Sequence, residues 1–371
     1  MEINNTKHIG IMSMHRIINY GSYLQAYGLK YVVENESGCV PEFIDYPFEK
    51  DITVQYKSFK SRLFAKIKKN INVLNFIKIK KYYINEREAL IEDLKQIDID
   101  KHNFNKELDI LIIGSDEVFN CLQPYPVGYS KALFGKDYDN CAVISYAASF
   151  GHTKYEDLIK YGIADEIGSM LSKFKSISVR DDNSYSIVKA LTGREAIIHL
   201  DPVLIYDFKS EMKEYVTHEC DYIIVYAYTG RLSFEEEKYI KKFAKKINKK
   251  IISIGNYIRI ADKNIICNPL YIFSYFKNAD YIITDTFHGS IFSIKTNSKF
   301  CTIIRDSNRN KLSALLSKLE RTDRMVNKLE DIERLYAVPI DYAITNSVIE
   351  EEKKRTVEYI KGNYENVRVS K

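Results

Sequence analysis

The stretch YIITDTFHGSIFSIK, residues 281–295, changes character at its middle, and that change says most about the fold. Tyr281, Ile282 and Ile283 form the apolar run of a buried strand. Thr284, Asp285 and Thr286 then supply turn oxygens before an amphipathic helix opens. His288, Gly289 and Ser290 fall at the start of that helix, where backbone amides lack intrahelical acceptors and point outward. Those amides and the helix dipole favour an anion such as phosphate or carboxylate. A histidine beside such an anion can donate or accept a proton near neutral pH. The segment points to an enzyme for an anionic substrate. It also admits a plainer reading, in which His288 caps the helix or hydrogen-bonds a neighbouring carbonyl.

At 371 residues the chain exceeds the usual size of one hydrophobic core, which predicts two domains of ordinary size. Hydrophobic content of 45% and charged content of 28% fit a soluble globular protein and exclude wholesale disorder or a fibrous repeat. A net charge of +5 over this length leaves no nucleic-acid footprint. Cys39, Cys121, Cys141, Cys220, Cys267 and Cys301 include no CxxC pair, which argues against a zinc knuckle or redox motif. The start, MEINNTKHIGIMSMH, does not resemble a signal peptide, and no segment has the apolar length that crosses a bilayer. A reducing cytoplasm is the expected location.

Short β-rich runs alternate with helical patterns, the order that builds parallel sheets covered by helices on both faces. In the first half, strands are predicted over Lys7–Met12, Val40–Ile44, Leu108–Ile113, Cys141–Tyr146, Ser176–Val179 and Ala196–Leu200. Helices are predicted over Ser22–Glu34 (with Ser22 as cap), Tyr155–Phe174 and Asp182–Leu191. The polar stretch after LDPVLIY marks a boundary, giving domains 1–206 and 207–371. The second set comprises strands Tyr222–Ala227, Lys250–Ile254 and Phe300–Ile304 around the 281–295 unit, with helices Ser233–Ile247 and Leu270–Lys277. A last helix, Val348–Lys361, is able to pack on either domain. The expected fold class is α/β, two Rossmann-like domains facing a cleft, with ligands beyond the carboxyl ends of the strands.

Three motifs of the first domain sit at such strand ends: Asn19, Tyr20, Gly21 and Ser22; Gly114, Ser115, Asp116 and Glu117; and Arg180 with Asp181. Singly each is ordinary turn chemistry. Asp116 reads as a functional carboxylate or as a helix cap, and Arg180 as a ligand-binding group or as the partner of Asp181 or Asp182. Their joint occurrence at successive strand ends favours a site.

Taken in order, GSDEVFN (114–120), SYAASFG (145–151), SVRDDNS (178–184), LDPVL (200–204) and NADYIITDTFHGSIFSI (278–294) resemble the polysaccharide pyruvyl transferase family. NYGSYLQAYGLK (19–30) is similar to the amino-terminal motif of its bacterial members. The resemblance implies a two-domain fold of the GT-B type. It also implies a reaction that uses phosphoenolpyruvate to place a pyruvyl ketal on a sugar of a surface polysaccharide or its precursor, with no cofactor beyond that donor. By the same resemblance Arg180 holds the donor's phosphate or carboxylate and His288 is the general acid. Some members carry an arginine where this chain has Thr286, and a hydroxyl does not replace a guanidinium. Arg305 or Arg309 is the expected substitute.

On this reading Arg180 and the amides around Gly289 and Ser290 hold the donor, His288 protonates its methylene, and Asp116 or Asp285 accepts the hydroxyl proton. Asn19, Tyr20, Ser115 and Thr286 complete the expected substrate-binding set. No metal is expected, since His288 has no second His or Cys at ligand spacing. Residues 57–83 hold nine Lys or Arg and no acid, with Phe59, Leu63, Ile67, Ile71, Leu74 and Ile77 at helical spacing. The run reads as a helix burying one face, or as a peripheral contact with an anionic membrane near a lipid-linked acceptor. Two other functions remain open: a glycosyltransferase using a sugar nucleotide, and a noncatalytic polysaccharide-precursor binding protein.

Overall fold

Runs of Ile, Val, Leu and Tyr assemble into two six-stranded sheets, and every pairing between their strands is parallel. The structure is a computed structural model that describes residues 7–52, 73–95, 99, 101–124 and 127–367. The first sheet contains β1 (Ile9–Met12), β2 (Glu42–Phe43), β3 (Ile110–Asp116), β4 (Ala142–Ala148), β5 (Ser178–Val179) and β6 (Ile197–Ile198), in the order β2-β1-β3-β4-β5-β6. The second contains β7 (Tyr222–Tyr226), β8 (Lys250–Ile254), β9 (Lys263–Ile265), β10 (Tyr281–Thr284), β11 (Phe300–Ile303) and β12 (Met325–Val326), in the order β12-β11-β10-β7-β8-β9. Parallel strands buried on both faces read as continuous apolar runs, which is why LDILII and DYIIT were legible.

Alternation along each strand divides the core. Ile110 and Ile112 face one cluster while Leu111 and Ile113 face another, and Ile224 and Ile282 are separated in the same way from Ile223 and Ile283. The first cluster is shared. It runs from the inner face of the first sheet through Leu200, Val203 and Leu204 to the inner face of the second. The helix Tyr20–Ser37 lies within it, and so does the C-terminal helix Ala343–Glu365, which returns to the first sheet. Tyr359 Oη donates to the Ser145 carbonyl (2.8 Å), and the Tyr146 and Thr356 hydroxyls lie 3.0 Å apart.

Strand order reverses direction at two places, between β1 and β3 and between β7 and β10. Such switch points open a crevice beyond the strand ends. The strand ends and helix starts there carry Asn19–Ser22 and Ser115–Glu117 from the first sheet, and Asp285–His288 from the second.

Several elements depart from expectation in extent. The first helix begins at Tyr20 and is capped by Asn19, whose side chain accepts from the Gly21 and Ser22 amides, so Ser22 is not the cap. The expected helix 155–174 is two, Tyr155–Lys160 and Ala164–Ser172, because Gly162 between them has φ +66°. Strand β3 runs on to Asp116, placing its polar end inside the sheet's rim. Of the basic run, residues 57–72 lie outside the described residues, as does the side chain of Leu74. Ile77, expected on a buried face, is 57% exposed on the helix Val73–Lys95. Among the described residues no helix is long and apolar enough to cross a membrane.

Candidate active site

The two switch points meet at Gly21 and His288. A Cβ on Gly21 would lie 2.1 Å from His288 Nδ1 and 2.3 Å from Cγ, so the imidazole rests flat on a backbone that only glycine leaves clear. Nε2 lies 3.6 Å from Asp201 Oδ2, just beyond hydrogen-bond reach, and is buried without another partner. Asp201 is the second residue of the LDPVL segment, where its side chain also accepts from the Val203 amide and so caps a short helical turn.

Arg180 continues the chain of charges. Its Nη1 donates to Asp201 Oδ2 (3.1 Å), its Nη2 lies 3.6 Å from Asp116 Oδ1, and its guanidinium stacks 4.3 Å from the centre of the Phe287 ring. Burial works against the arginine's charge, and Asp116, Asp201, Glu117 and Asp181 more than restore it. Burial alone would raise the Asp201 carboxyl; His288 and Arg180 outweigh it and hold the group below its ordinary range. Arg180 is therefore not paired with Asp181 or Asp182, since Asp181 instead caps the following helix through the Ser184 amide. Nor is Asp116 a helix cap. It sits at φ 80°, accepts from Ser22 Oγ (2.9 Å) and faces Arg180.

A cavity of about 210 Å³ opens beside this chain, with Arg180, Phe287 and Asp201 on one wall. Lys311, Lys318 and Arg355 bring further cations to it. Lys311 bridges the domains by donating to Glu117 Oε1 (3.0 Å). Burial pushes the Glu117 carboxyl up, and Lys311, Arg180 and Asn120 bring it down to about 2.

The start of the site helix is tightly built. Thr286 Oγ1 accepts from the Gly289 amide (2.9 Å), and Ser290 Oγ is spent on the Thr286 carbonyl and Thr302. Of the first-turn amides, those of Phe287 and His288 keep no intrahelical acceptor. The Thr286 and Ser290 hydroxyls thus shape the turn.

Asp285 lies in a different cluster. Arg305 Nε donates to it (2.7 Å) and Arg231 Nε lies 3.2 Å away; burial raises its carboxyl, against the pull of both arginines. Arg305 also donates to Glu236 (3.1 Å), so it is already matched by two carboxylates. Arg309 lies at the surface, near Asp306. Tyr20 crosses the cleft, its hydroxyl donating to the Cys267 carbonyl (2.7 Å) and accepting from the Cys267 amide. Ser115 Oγ is buried without a partner.

The sequence model of the polysaccharide pyruvyl transferase family matches residues 19–307, more than half of the chain. The chain belongs to that family. No curated protein matches the sequence. Among solved structures, the Staphylococcus aureus MnaA–UDP co-structure shares 12% identity, covering 99% of this chain and 98% of that one, at a TM-score of 0.51. UDP-GlcNAc 2-epimerase from Neisseria meningitidis bound to UDP-GlcNAc shares 10% over 98% and 95%, at 0.44. UGT89C1 of Arabidopsis thaliana, complexed with quercetin, shares 9% over 97% and 99%, at 0.47. The likeness to the Staphylococcus aureus structure is one of fold alone, the GT-B arrangement of two Rossmann-like domains around a cleft. The segments Gly114–Asn120, Ser178–Ser184, Leu200–Leu204 and Asp285–Gly289 converge on the His288–Asp201–Arg180–Asp116 chain. The sequence alone assigns no role to Asp201, Glu117, Lys311 or Arg231, although Asp201 stands in LDPVL.

Proposed function

We propose that this chain moves a pyruvyl group from phosphoenolpyruvate to two hydroxyls of a saccharide, forming a cyclic ketal and releasing phosphate. The observation that carries the proposal is the buried run His288–Asp201–Arg180–Asp116 at the junction of the two switch points. Phosphoenolpyruvate carries a phosphate and a carboxylate, and the cavity bounded by Arg180, Lys311, Lys318 and Arg355 offers cations for both. The His288 imidazolium, steadied by Asp201, gives its proton to the methylene carbon, which becomes a methyl group. One sugar oxygen bonds to C2 as its proton passes to Asp116, next to Ser22. The bond between C2 and the bridging phosphate oxygen then breaks, and the second hydroxyl closes the ketal as its proton leaves with phosphate. Asp116 returns its proton to His288 to complete the cycle.

In this scheme Arg180 serves both the donor and the two carboxylates that flank it. Arg305 and Asp285 form a support beside the site helix. Thr286, Gly289 and Ser290 set its first turn, while Asn19, Tyr20 and Ser115 shape the facing rim. The test is calorimetric titration of phosphoenolpyruvate, with UDP as comparator, into wild type, Arg180→Ala and His288→Gln. Binding of phosphoenolpyruvate that Arg180→Ala abolishes and His288→Gln retains is expected. Heat with UDP and none with phosphoenolpyruvate would overturn the proposal in favour of a sugar-nucleotide enzyme.

A further inference from the structure

The helix Val73–Lys95 leaves the first domain between β2 and β3 and reaches the rim of the second. Tyr82 Oη donates to the Ile265 carbonyl (3.0 Å), Tyr83 bonds Thr229, and Asn268 donates to Asp93 (2.7 Å). Tyr82, Glu86, Leu90 and Asp93 recur at helical spacing on its buried face.

Glu86 differs from its neighbours on this face. It is 3% exposed, yet among the described residues no hydrogen bond or ion pair reaches its carboxyl. The Tyr226 side chain, at the end of β7, is likewise buried as a whole, and among the described residues no hydrogen bond reaches its hydroxyl. Side chains seated in a cleft whose polar ends have no protein partner remain available to a bound molecule. The two belong to one place: the charge of Glu86 is felt by the phenols of Tyr20, Tyr82, Tyr83 and Tyr226. Tyr20 is held there by Cys267, whose thiol also faces the cluster.

This place adjoins the site. The Tyr226 ring lies 2.8 Å from where a Cβ on Gly289 would sit. Phe287, on the cavity wall, and Gly289 are two residues apart on one helix, hence about 200° around it. The cationic cavity and the tyrosine cluster therefore flank the start of the site helix on opposite sides, with His288 between them. One side suits an anion. The other offers aromatic faces, one carboxyl and one free hydroxyl, the chemistry that takes the apolar faces and hydroxyls of a sugar ring.

We infer that Glu86 and the Tyr226 hydroxyl hold hydroxyls of the saccharide acceptor, with Tyr20 and Tyr82 as its apolar walls. The inference rests on the proposed function for naming that saccharide an acceptor; the site itself does not depend on the donor. Glu86 thereby becomes a specificity-determining residue supplied by the crossing helix. Burial pushes its carboxyl up to about 7. The ionised form is the stronger acceptor of hydroxyl protons, so saccharide affinity should rise with pH across neutrality.

The test titrates 4-nitrophenyl glucoside, galactoside, mannoside and N-acetylglucosaminide into the full-length protein, each in the pH range 6–8. Wild type, Glu86→Gln, Tyr226→Phe and the exposed-face control Ile91→Ser are compared, and phosphoenolpyruvate is titrated into the same samples. At least one glycoside should bind wild type and Ile91→Ser alike. Glu86→Gln should weaken it about 10-fold and remove its pH dependence, and Tyr226→Phe should weaken it severalfold, with unchanged thermal midpoints. Absence of glycoside binding by wild type, or binding by Glu86→Gln equal to wild type, overturns the inference. Glycoside binding without phosphoenolpyruvate binding leaves this site standing and removes the donor reading instead.

Discussion

Gly21→Ala is the sharpest probe of the site because it adds one methyl group and touches no charge. The new Cβ would lie 2.1 Å from His288 Nδ1, against an ordinary contact of about 3.5 Å, so the imidazole must retreat by about 1.4 Å. Overpacking of this kind costs about 1–3 kcal/mol. Gly21 is in a helix, where alanine is favoured over glycine by about 0.5–1 kcal/mol, which offsets part of that cost. Net destabilisation should be at most about 2.5 kcal/mol, a shift of a few degrees in Tm. Misplacing a catalytic group by about 1 Å can cost on the order of 100-fold in rate. The expected result is thus near-native folding with turnover down about two orders of magnitude. Turnover is read as phosphate release from phosphoenolpyruvate with a bound glycoside, and the ring position as the His288 imidazole resonances. Wild-type turnover with unmoved His288 resonances would refute the reasoning that glycine is there to seat the histidine.

Three further outcomes are expected. Asp201→Asn removes a fully buried charge that serves both Arg180 and His288, so urea unfolding should show a loss of about 3–5 kcal/mol along with turnover. Arg305→Ala leaves Asp285 with Arg231 alone; stability should fall by about 1.5–3 kcal/mol. Phosphoenolpyruvate affinity should move less than about twofold in that variant, and a large loss would restore Arg305 as a donor-binding charge. Lys295, whose ammonium donates to the Leu204 (3.3 Å) and Tyr206 carbonyls, is lowered by burial to about 7 from an ordinary 10.5. Between those values the unfolded chain binds more protons than the folded one, so stability should rise with pH across that window. Denaturation curves of Lys295→Met should lose that slope.

The strands of both sheets were legible because parallel strands are apolar on both faces, and the segment 281–295 announced its strand, turn and helix in sequence. Much less legible were β9 and β12, with three and two residues, too short to carry a period. Recognition of site residues followed the same division. His288, Asp116 and Arg180 stand at strand ends, where chain position alone brings them to the cleft. Asp201 was overlooked because its proline-marked turn reads as local capping, a role it does have. Only tertiary contact discloses its second role, toward Arg180 and His288. Glu86 carried no signal at all: in the sequence it is one acid in a charged helix, and its isolation is visible only when Tyr226 and Tyr20 close around it. Arg305 was expected to be free because Asp285 and Glu236 lie 20 and 69 residues away.

The return of the C-terminal helix to the first sheet means that, among the described residues, two connections link the sheets, one near Leu204 and one ahead of Ala343. A door hung on a single pin can tilt and swivel, whereas one hung on two can only swing about the line that joins them. Two connections thus restrain relative movement of the domains more than one would, and they hold His288 against Gly21. Severing the tail before Ala343 would remove one pin and strip Tyr359 and Thr356 from beneath Ser145 and Tyr146. The same cut would thus loosen the motion and unroof the first domain.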